Sequence, residues 1–356
     1  MFEYLRVDGF KGLDDVQVGP LRRINLVVGP GGSGKTSLME AIFVHCGLAN
    51  PALLATLQGT RGAATLKPGQ LERLSKLCLS AGPGADRLMI EGAWAGLSRR
   101  TEITLEDRPS SVPADPQTRE LLQRLNPQGF RSAARWSART VVDGEEFKGH
   151  LLWTDQGPGA ELPSTGSNIP GMLVPLSLIE TGAPLAVQWT TAEELGFADE
   201  ILRLVQKFDP DVLSIKVAAS LDRTTLRIHH RVMGAVDEPN LLGSWLPQVL
   251  RLALHLPSNR GGACFFDEFD GPLHVGLLRL MARFLLAACT QFNVQLFATT
   301  HRLETIDAFL EIDEVRAAVS VLRSRRRDGR ISFETLSGEQ AWELREEVGV
   351  DLRRTL

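Results

Sequence analysis

The eight residues Gly29, Pro30, Gly31, Gly32, Ser33, Gly34, Lys35 and Thr36 constrain this chain more than any other stretch. They fit the pattern G-x-x-x-x-G-K-[ST], and they stand in the setting that pattern needs, between a strand and a helix. Residues 23–28 read as a buried strand, and residues 37–44, beginning at Ser37, read as an amphipathic helix. The glycines let successive backbone N–H groups turn inward around a polyphosphate, and the helix start adds its partial positive charge. Lys35 is expected to reach the β- and γ-phosphates, and the Thr36 hydroxyl to ligate Mg2+. A glycine turn that binds nothing would have no need of both flanks. A nucleoside triphosphate is the expected ligand.

A length of 356 residues exceeds the usual size of one core, so one large or two smaller units are expected. A net charge of -4 argues against a surface coated for nucleic acid, though it leaves room for a local basic patch. Cys46, Cys78, Cys264 and Cys289 show no paired metal-ligand spacing, which predicts a reducing, cytoplasmic setting. The first residues lack the basic and apolar regions of a signal peptide. The apolar run at 277–289 is broken by Arg279 and Arg283, so no membrane span is expected.

Short strands are expected at 2–7 and 16–18, then a helical region through residue 79, then alternating strands at 87–91 and 101–105. Proline- and serine-rich stretches at 107–116 and 157–171 read as loops. Residues 140–142 and 150–153 flank a polar turn and suggest a hairpin. Regular structure is expected again at 172–179. A single helix at about 191–207 is expected to open on the capping box Thr191-x-x-Glu194. Strands near 212–217 and 225–230 precede a helix at 245–256. From Cys264 the order is strand, helix, strand, helix, which argues a largely parallel sheet.

A second segment narrows the chemistry. Ala263, Cys264, Phe265 and Phe266 are apolar, and Asp267 and Glu268 follow them. Such a strand delivers acids to a sheet edge, where ligands of open α/β sheets bind. Asp267 is expected to hold Mg2+, directly or through water, and Glu268 to orient and polarise an attacking water. The alternative is a solvated acidic turn. A third strand at 293–298 ends in Thr299, Thr300 and His301, and the imidazole is expected to donate to the γ-phosphate.

Together these segments resemble the ABC-type ATPases of the SMC, RecF and OLD (overcoming lysogenization defect) group, most of all OLD-like domains of the AAA-15/AAA-21 class. Phe10, Lys11 and Gly12 look like the group's F-K-[SG] segment. Residues 266–274 resemble D-E-x-E-x-x-L-H, with Asp270 in place of Glu, and residues 293–301 resemble N-x-Q-x-x-x-T-T-H. Residues 200–210 resemble the helix and turn ahead of the second half of that domain. The resemblance implies an α/β P-loop NTPase with an ABC-type head, a mostly parallel core sheet and an antiparallel β-rich lobe. Along the chain it implies a P-loop half at 1–52, a variable insertion at 53–171, a second half at 172–312 and a C-terminal hairpin and helix at 313–356.

It further implies Mg2+-dependent ATP hydrolysis, a homodimer paired through its heads, and a part in phage defence or DNA maintenance that gates a nuclease or toxin effector. Several OLD-like proteins continue into a Toprim nuclease domain; here such an effector is expected to be a separate chain. A RecF-like DNA-repair ATPase and a slowly hydrolysing, nucleotide-gated scaffold are the alternatives. In the signature loop, which closes on the partner's γ-phosphate, Gly243 and Ser244 fit, but Trp245 stands where a glycine is expected. The indole is expected to crowd or reshape that contact.

Two basic clusters raise nucleic-acid contact as a further expectation. Arg323, Arg325, Arg326, Arg327 and Arg330 surround a predicted hairpin turn at Asp328 and Gly329, with a capping box Ser337-x-x-Gln340 opening the last helix. Arg131, Arg135 and Arg139, spaced by four, are expected to line one helical face beside Trp136. Solvated surface is the alternative for both.

Overall fold

The computed structural model describes residues 1–59, 86–110, 120, 133–154, 157–174, 182–219 and 224–353. Three sheets organise them. The first is antiparallel, in the order β2 (Val16–Val18), β1 (Phe2–Asp8), β4 (Arg87–Trp94), β5 (Leu97–Ser110), β6 (Ala133–Val142), β7 (Glu145–Thr154), β8 (Gly157–Glu161). The second runs β16 (Arg330–Ser337), β15 (Val319–Arg327), β3 (Ile24–Val28), β14 (Gln295–Thr299), β13 (Ala263–Phe266), β9 (Gly171–Val174). All its pairs are parallel except the hairpin β15–β16. A small third sheet pairs β10 (Val212–Ala219), β11 (Thr224–His230) and β12 (Gly234–Val236).

The six-stranded sheet is a wall between two cores, because its strands are apolar on both faces. Ile24, Leu26, Val28, Cys264, Phe266, Leu296 and Ala298 face one way. That side is covered by α3 (Gly182–Glu194), α4 (Ala198–Phe208), α5 (Trp245–Ser258), α6 (Val275–Gln291), α7 (Leu303–Leu310), α8 (Asp313–Ala317) and α9 (Gly338–Glu346). Val27, Phe265, Phe297 and Leu322 face the other way, onto α1 (Lys35–Cys46), α2 (Ala52–Gly59) and the inner face of the seven-stranded sheet. The alternation within each strand is the two-residue period of a pleat.

Several expectations change. The 157–171 stretch opens with β8, and β5 extends through Ser110. The expected single helix at 191–207 is two, α3 and α4, because Gly196 at φ +68° ends the first. Phe197, not Thr191, caps the second, without a side-chain bond. Arg135 and Arg139 lie on β6, so no helical face joins them, and Trp136 is buried. Helical reading beyond residue 59, Arg131 and Cys78 fall outside the described residues, as do 111–116 and 175–179. The hairpin turns Asp143–Gly144 and Asp328–Gly329, both left-handed at each residue, and the Ser337–Gln340 capping box stand as read.

Helix α1 is tied down at its C-terminal end from the seven-stranded sheet. The buried guanidinium of Arg99 donates to the carbonyls of His45 (2.9 Å), Gly47 (3.0 Å) and Cys46 (3.4 Å). A cation there satisfies orphan carbonyls and complements the helix dipole. His45 is wholly buried, its Nδ1 2.9 Å from Thr101 Oγ1 and its ring stacked on Phe2 at 5.7 Å. Burial, helped by the Arg99 charge, holds its pKa well below the ordinary 6.5.

The sign of the consequence is fixed. The unfolded chain takes up this proton below about pH 6.5 and the folded chain does not. Stability is therefore full above that pH and falls as pH drops below it, by about 1.4 kcal/mol per unit from this one group. Urea denaturation between about pH 7.5 and about pH 5.5 should show a shallower loss in His45→Gln than in the wild type. Equal losses contradict the assignment.

Candidate functional site

The carboxyl ends of β3, β13 and β14 meet at one edge of the six-stranded sheet. Residues 29–34 leave β3 there and curl back into α1, with left-handed backbone at Gly32 (φ +69°) and Gly34 (φ +89°). Gly29 is glycine for a steric reason, since a Cβ would lie 2.2 Å from Ser324 Oγ and 2.6 Å from Ser324 O. The Ser33 hydroxyl donates to Pro30 O (2.7 Å) and lies 2.5 Å from Ser324 Oγ. The loop is thus braced from β15. Pro30, Gly31 and Gly32 form its exposed rim.

Lys35 is buried, and its Nζ donates to the carbonyls of Gly29 (3.0 Å) and Pro30 (2.7 Å). Burial lowers its pKa, against the pull of Asp267 and Glu268 in the other direction. Thr36 donates to Asp267 Oδ2 at 3.0 Å. The other carboxylate oxygen, Oδ1, accepts from Thr299 at 2.6 Å, and the same Thr299 hydroxyl accepts the Glu268 N–H at 2.8 Å. Glu268 has φ +45°, a left-handed conformation that costs a non-glycine residue about 1–2 kcal/mol. That turn swings its side chain out of the sheet edge, and Oε1 lies 3.7 Å from His301 Nε2. Lys35, Thr36, Asp267, Glu268 and His301, far apart in sequence, share one site. Ser37 follows within the first turn of α1.

Of three supporting residues, Thr299 and Asp270 lie in segments the sequence marked, without their roles, and Gln248 carried no sequence signal. Thr299 links the acid pair to β14. Asp270, buried, accepts from Thr300 (2.6 Å) and Thr305, which fixes the turn presenting His301. Its carbonyl also accepts from Arg302 (2.9 Å). Gln248 of α5 donates to Phe269 O, joining that helix to the acidic turn. Each depends on strand order, which local sequence does not encode.

Gly243 and Ser244 lie at the start of α5, away in sequence from the loop. Trp245 stacks its indole on Phe208 (5.2 Å, 7°) and donates Nε1–H to Leu242 O (3.1 Å). A Cβ on Gly243 would sit 2.9 Å from Trp245 Cδ1. The indole is therefore half-buried, stacked on α4 and close beside Gly243.

The donor set suits Mg2+: the Thr36 hydroxyl and the Asp267 carboxylate are hard oxygens 3.0 Å apart at the loop mouth. A different cluster, Asp209, Asp211 and His230, does not suit a metal. His230 Nδ1 accepts the amides of Val232 and Met233 (3.2 Å each), so Nε2 carries the proton toward Asp209 Oδ2 at 3.2 Å. A metal on Nε2 would force the proton onto Nδ1, where two N–H groups already point.

The basic clusters divide. Arg135 pairs with Glu106 and Arg139 with Glu146, both at 3.0 Å, so the middle cluster is a compensated ladder. Arg323 and Arg325 share Glu334 (3.0 and 2.8 Å). Arg326, Arg327 and Arg330 are exposed at the hairpin end. No helix among the described residues is long and apolar enough to cross a membrane.

Comparison with known proteins fits this geometry. No protein-family model matches the sequence. The uncharacterised protein MJECL11 of Methanocaldococcus jannaschii is 32% identical over 113 residues, 32% of this chain and 99% of that protein. This chain belongs to the same family as that archaeal protein. An SMC head bound to the C-winged helix domain of ScpA superposes with a TM-score of 0.51 at 13% identity, over 96% of this chain and 99% of that one. The fold is that of an SMC head, an ABC-type ATPase fold. Two other SMC heads match at 13% identity: one from Thermotoga maritima (TM-score 0.40, covering 94% and 98%) and one from Pyrococcus furiosus bound to the C-terminal domain of ScpA (0.49, 98% and 99%). The fold assignment rests on the first.

Because the half-buried indole stacks on Phe208, Trp245→Gly should destabilise the protein by about 1–3 kcal/mol, from lost burial and stacking. A denaturation midpoint equal to the wild type contradicts the packing described.

Proposed function

We propose that this chain is a Mg2+-dependent ATPase whose heads pair around bound ATP. The observation that carries the reading is the convergence of Lys35 and its loop, Thr36, the Asp267–Glu268 pair and His301 at one sheet edge. Loop amides and Lys35 cradle the phosphates, and the lysine leaves the carbonyls of Gly29 and Pro30 to do so. Thr36 and Asp267 hold Mg2+, which when bound neutralises charge on the β- and γ-oxygens. Glu268 accepts a proton from the water that attacks the γ-phosphorus as the bond to the ADP oxygen breaks. His301 donates to the γ-phosphate and reports its presence. Gly243 and Ser244 serve the trans contact, with the half-buried indole of Trp245 close beside Gly243.

Likeness to OLD-like domains supports a role in phage defence or DNA maintenance, with ATP state gating a separate nuclease or toxin effector. That step is analogy, since fold does not fix function. A RecF-like repair role would use the exposed arginines of the β15–β16 hairpin on nucleic acid. A slowly hydrolysing, nucleotide-gated scaffold is the second reading, favoured by the indole of Trp245 beside Gly243.

Glu268→Gln should cut turnover at least about a hundredfold while ATP affinity persists, and should accumulate as an ATP-bound dimer. Turnover assays and solution mass with and without ATP measure both. Undiminished hydrolysis by this variant contradicts the role of Glu268, and hydrolysis by a strict monomer contradicts the paired heads.

A further inference from the structure

The β15–β16 hairpin stands over the phosphate loop. The ladder between β15 and β3 ends at Arg323 opposite Val28, yet β15 continues to Arg327. In that overhang Ser324 braces Ser33, and Arg326 Nη1 donates weakly to Gly32 O at 3.4 Å. Across the turn, Ile331 lies so close to the loop that a Cβ on Gly34 would come within 2.9 Å of its Cδ1 and Cγ2. Gly12, of the Phe10–Lys11–Gly12 segment, also faces Ile331, at 3.6 Å from a Cβ position.

Strand order adds a direction. Asp267, Glu268 and His301 follow β13 and β14, on one flank of β3, whereas the hairpin occupies the opposite flank. A triphosphate whose γ end meets the acids and the imidazole must leave its nucleoside end toward the hairpin. Charge distribution selects the residue. Arg323 and Arg325 are committed to Glu334, and Arg327 stands near Asp328 at the exposed tip. Arg326 is exposed, and among the described residues no carboxylate lies within ion-pair distance of it. Its one bond, to a loop carbonyl, is long enough to exchange readily.

We infer that Arg326 contacts the nucleoside of the bound nucleotide, its planar guanidinium lying on the base, and so adds a binding residue outside the phosphate loop. This rests on the ATP-binding reading above. An arginine suits the task because it stacks on aromatic faces as a lysine does not. The Gly32 carbonyl parks the side chain at the loop rim until a base arrives.

The test compares Arg326→Ala, Arg326→Lys and Arg327→Ala with the wild type, titrating Mg-ATP, Mg-ADP and inorganic tripolyphosphate. Arg326→Ala should weaken ATP and ADP about five- to thirtyfold and leave tripolyphosphate affinity and the apo unfolding midpoint unchanged. Arg326→Lys should recover only part of the loss, and Arg327→Ala should match the wild type. Equal loss for tripolyphosphate overturns the inference in favour of a phosphate contact. Unchanged ATP affinity overturns it while leaving the ATPase reading intact, and a concurrent salt-sensitive loss of duplex DNA binding would reassign the hairpin to nucleic acid. A wild-type protein that binds neither nucleotide overturns both.

Discussion

Two threonine hydroxyls on one carboxylate hold this site together. Thr36 and Thr299 donate to opposite oxygens of Asp267, and Thr299 also accepts the amide of strained Glu268. That chain spans β14, β13 and the helix following β3, so it sets the distance between the phosphate loop and the acids. The two bonds to the carboxylate contribute about 1.5–3 kcal/mol each because one partner is charged, enough to offset the left-handed backbone at Glu268. Break it, and the acids and the loop belong to separate elements.

From this centre the site reaches both cores. Helix α1 carries Lys35 and Thr36 at one end and is gripped by Arg99 of the seven-stranded sheet at the other. Glu40 within it forms a buried ion pair with Lys11 at 2.7 Å, which anchors the segment before β2. On the far side of the wall, α5 begins at Ser244 and Trp245 and meets the acidic turn through Gln248. Contacts thus run from the phosphate loop to the antiparallel lobe through α1, and from the acidic turn to the start of α5 through Gln248.

Much of the centre was legible in the residues because its signals are local. The glycine loop needs its glycines in sequence, and an apolar run ending in two acids needs no knowledge of neighbours. The β10, β11 and α5 boundaries were readable for the same reason. What escaped depends on pairing across the chain. Nothing near Ser324 says that β15 lies beside β3, so its brace on Ser33 was invisible. The arginines at 135 and 139 share a face on a strand as well as on a helix, and their period of four did not choose between them. The stacking of Trp245 on Phe208 was invisible for the same reason, since the two are remote in sequence. Gly196 was passed over in a helical pattern although it ends α3.

The claim on which all of this stands is that the loop around Lys35 holds a triphosphate in company with Mg2+. Calorimetric titration of Mg-ATP into the wild type and Lys35→Ala tests it most directly. The account predicts saturable binding by the wild type and affinity lower by about a hundredfold or more in the variant, the loss of a charge-assisted phosphate contact. Equal binding by the two proteins, or none by the wild type, would contradict it.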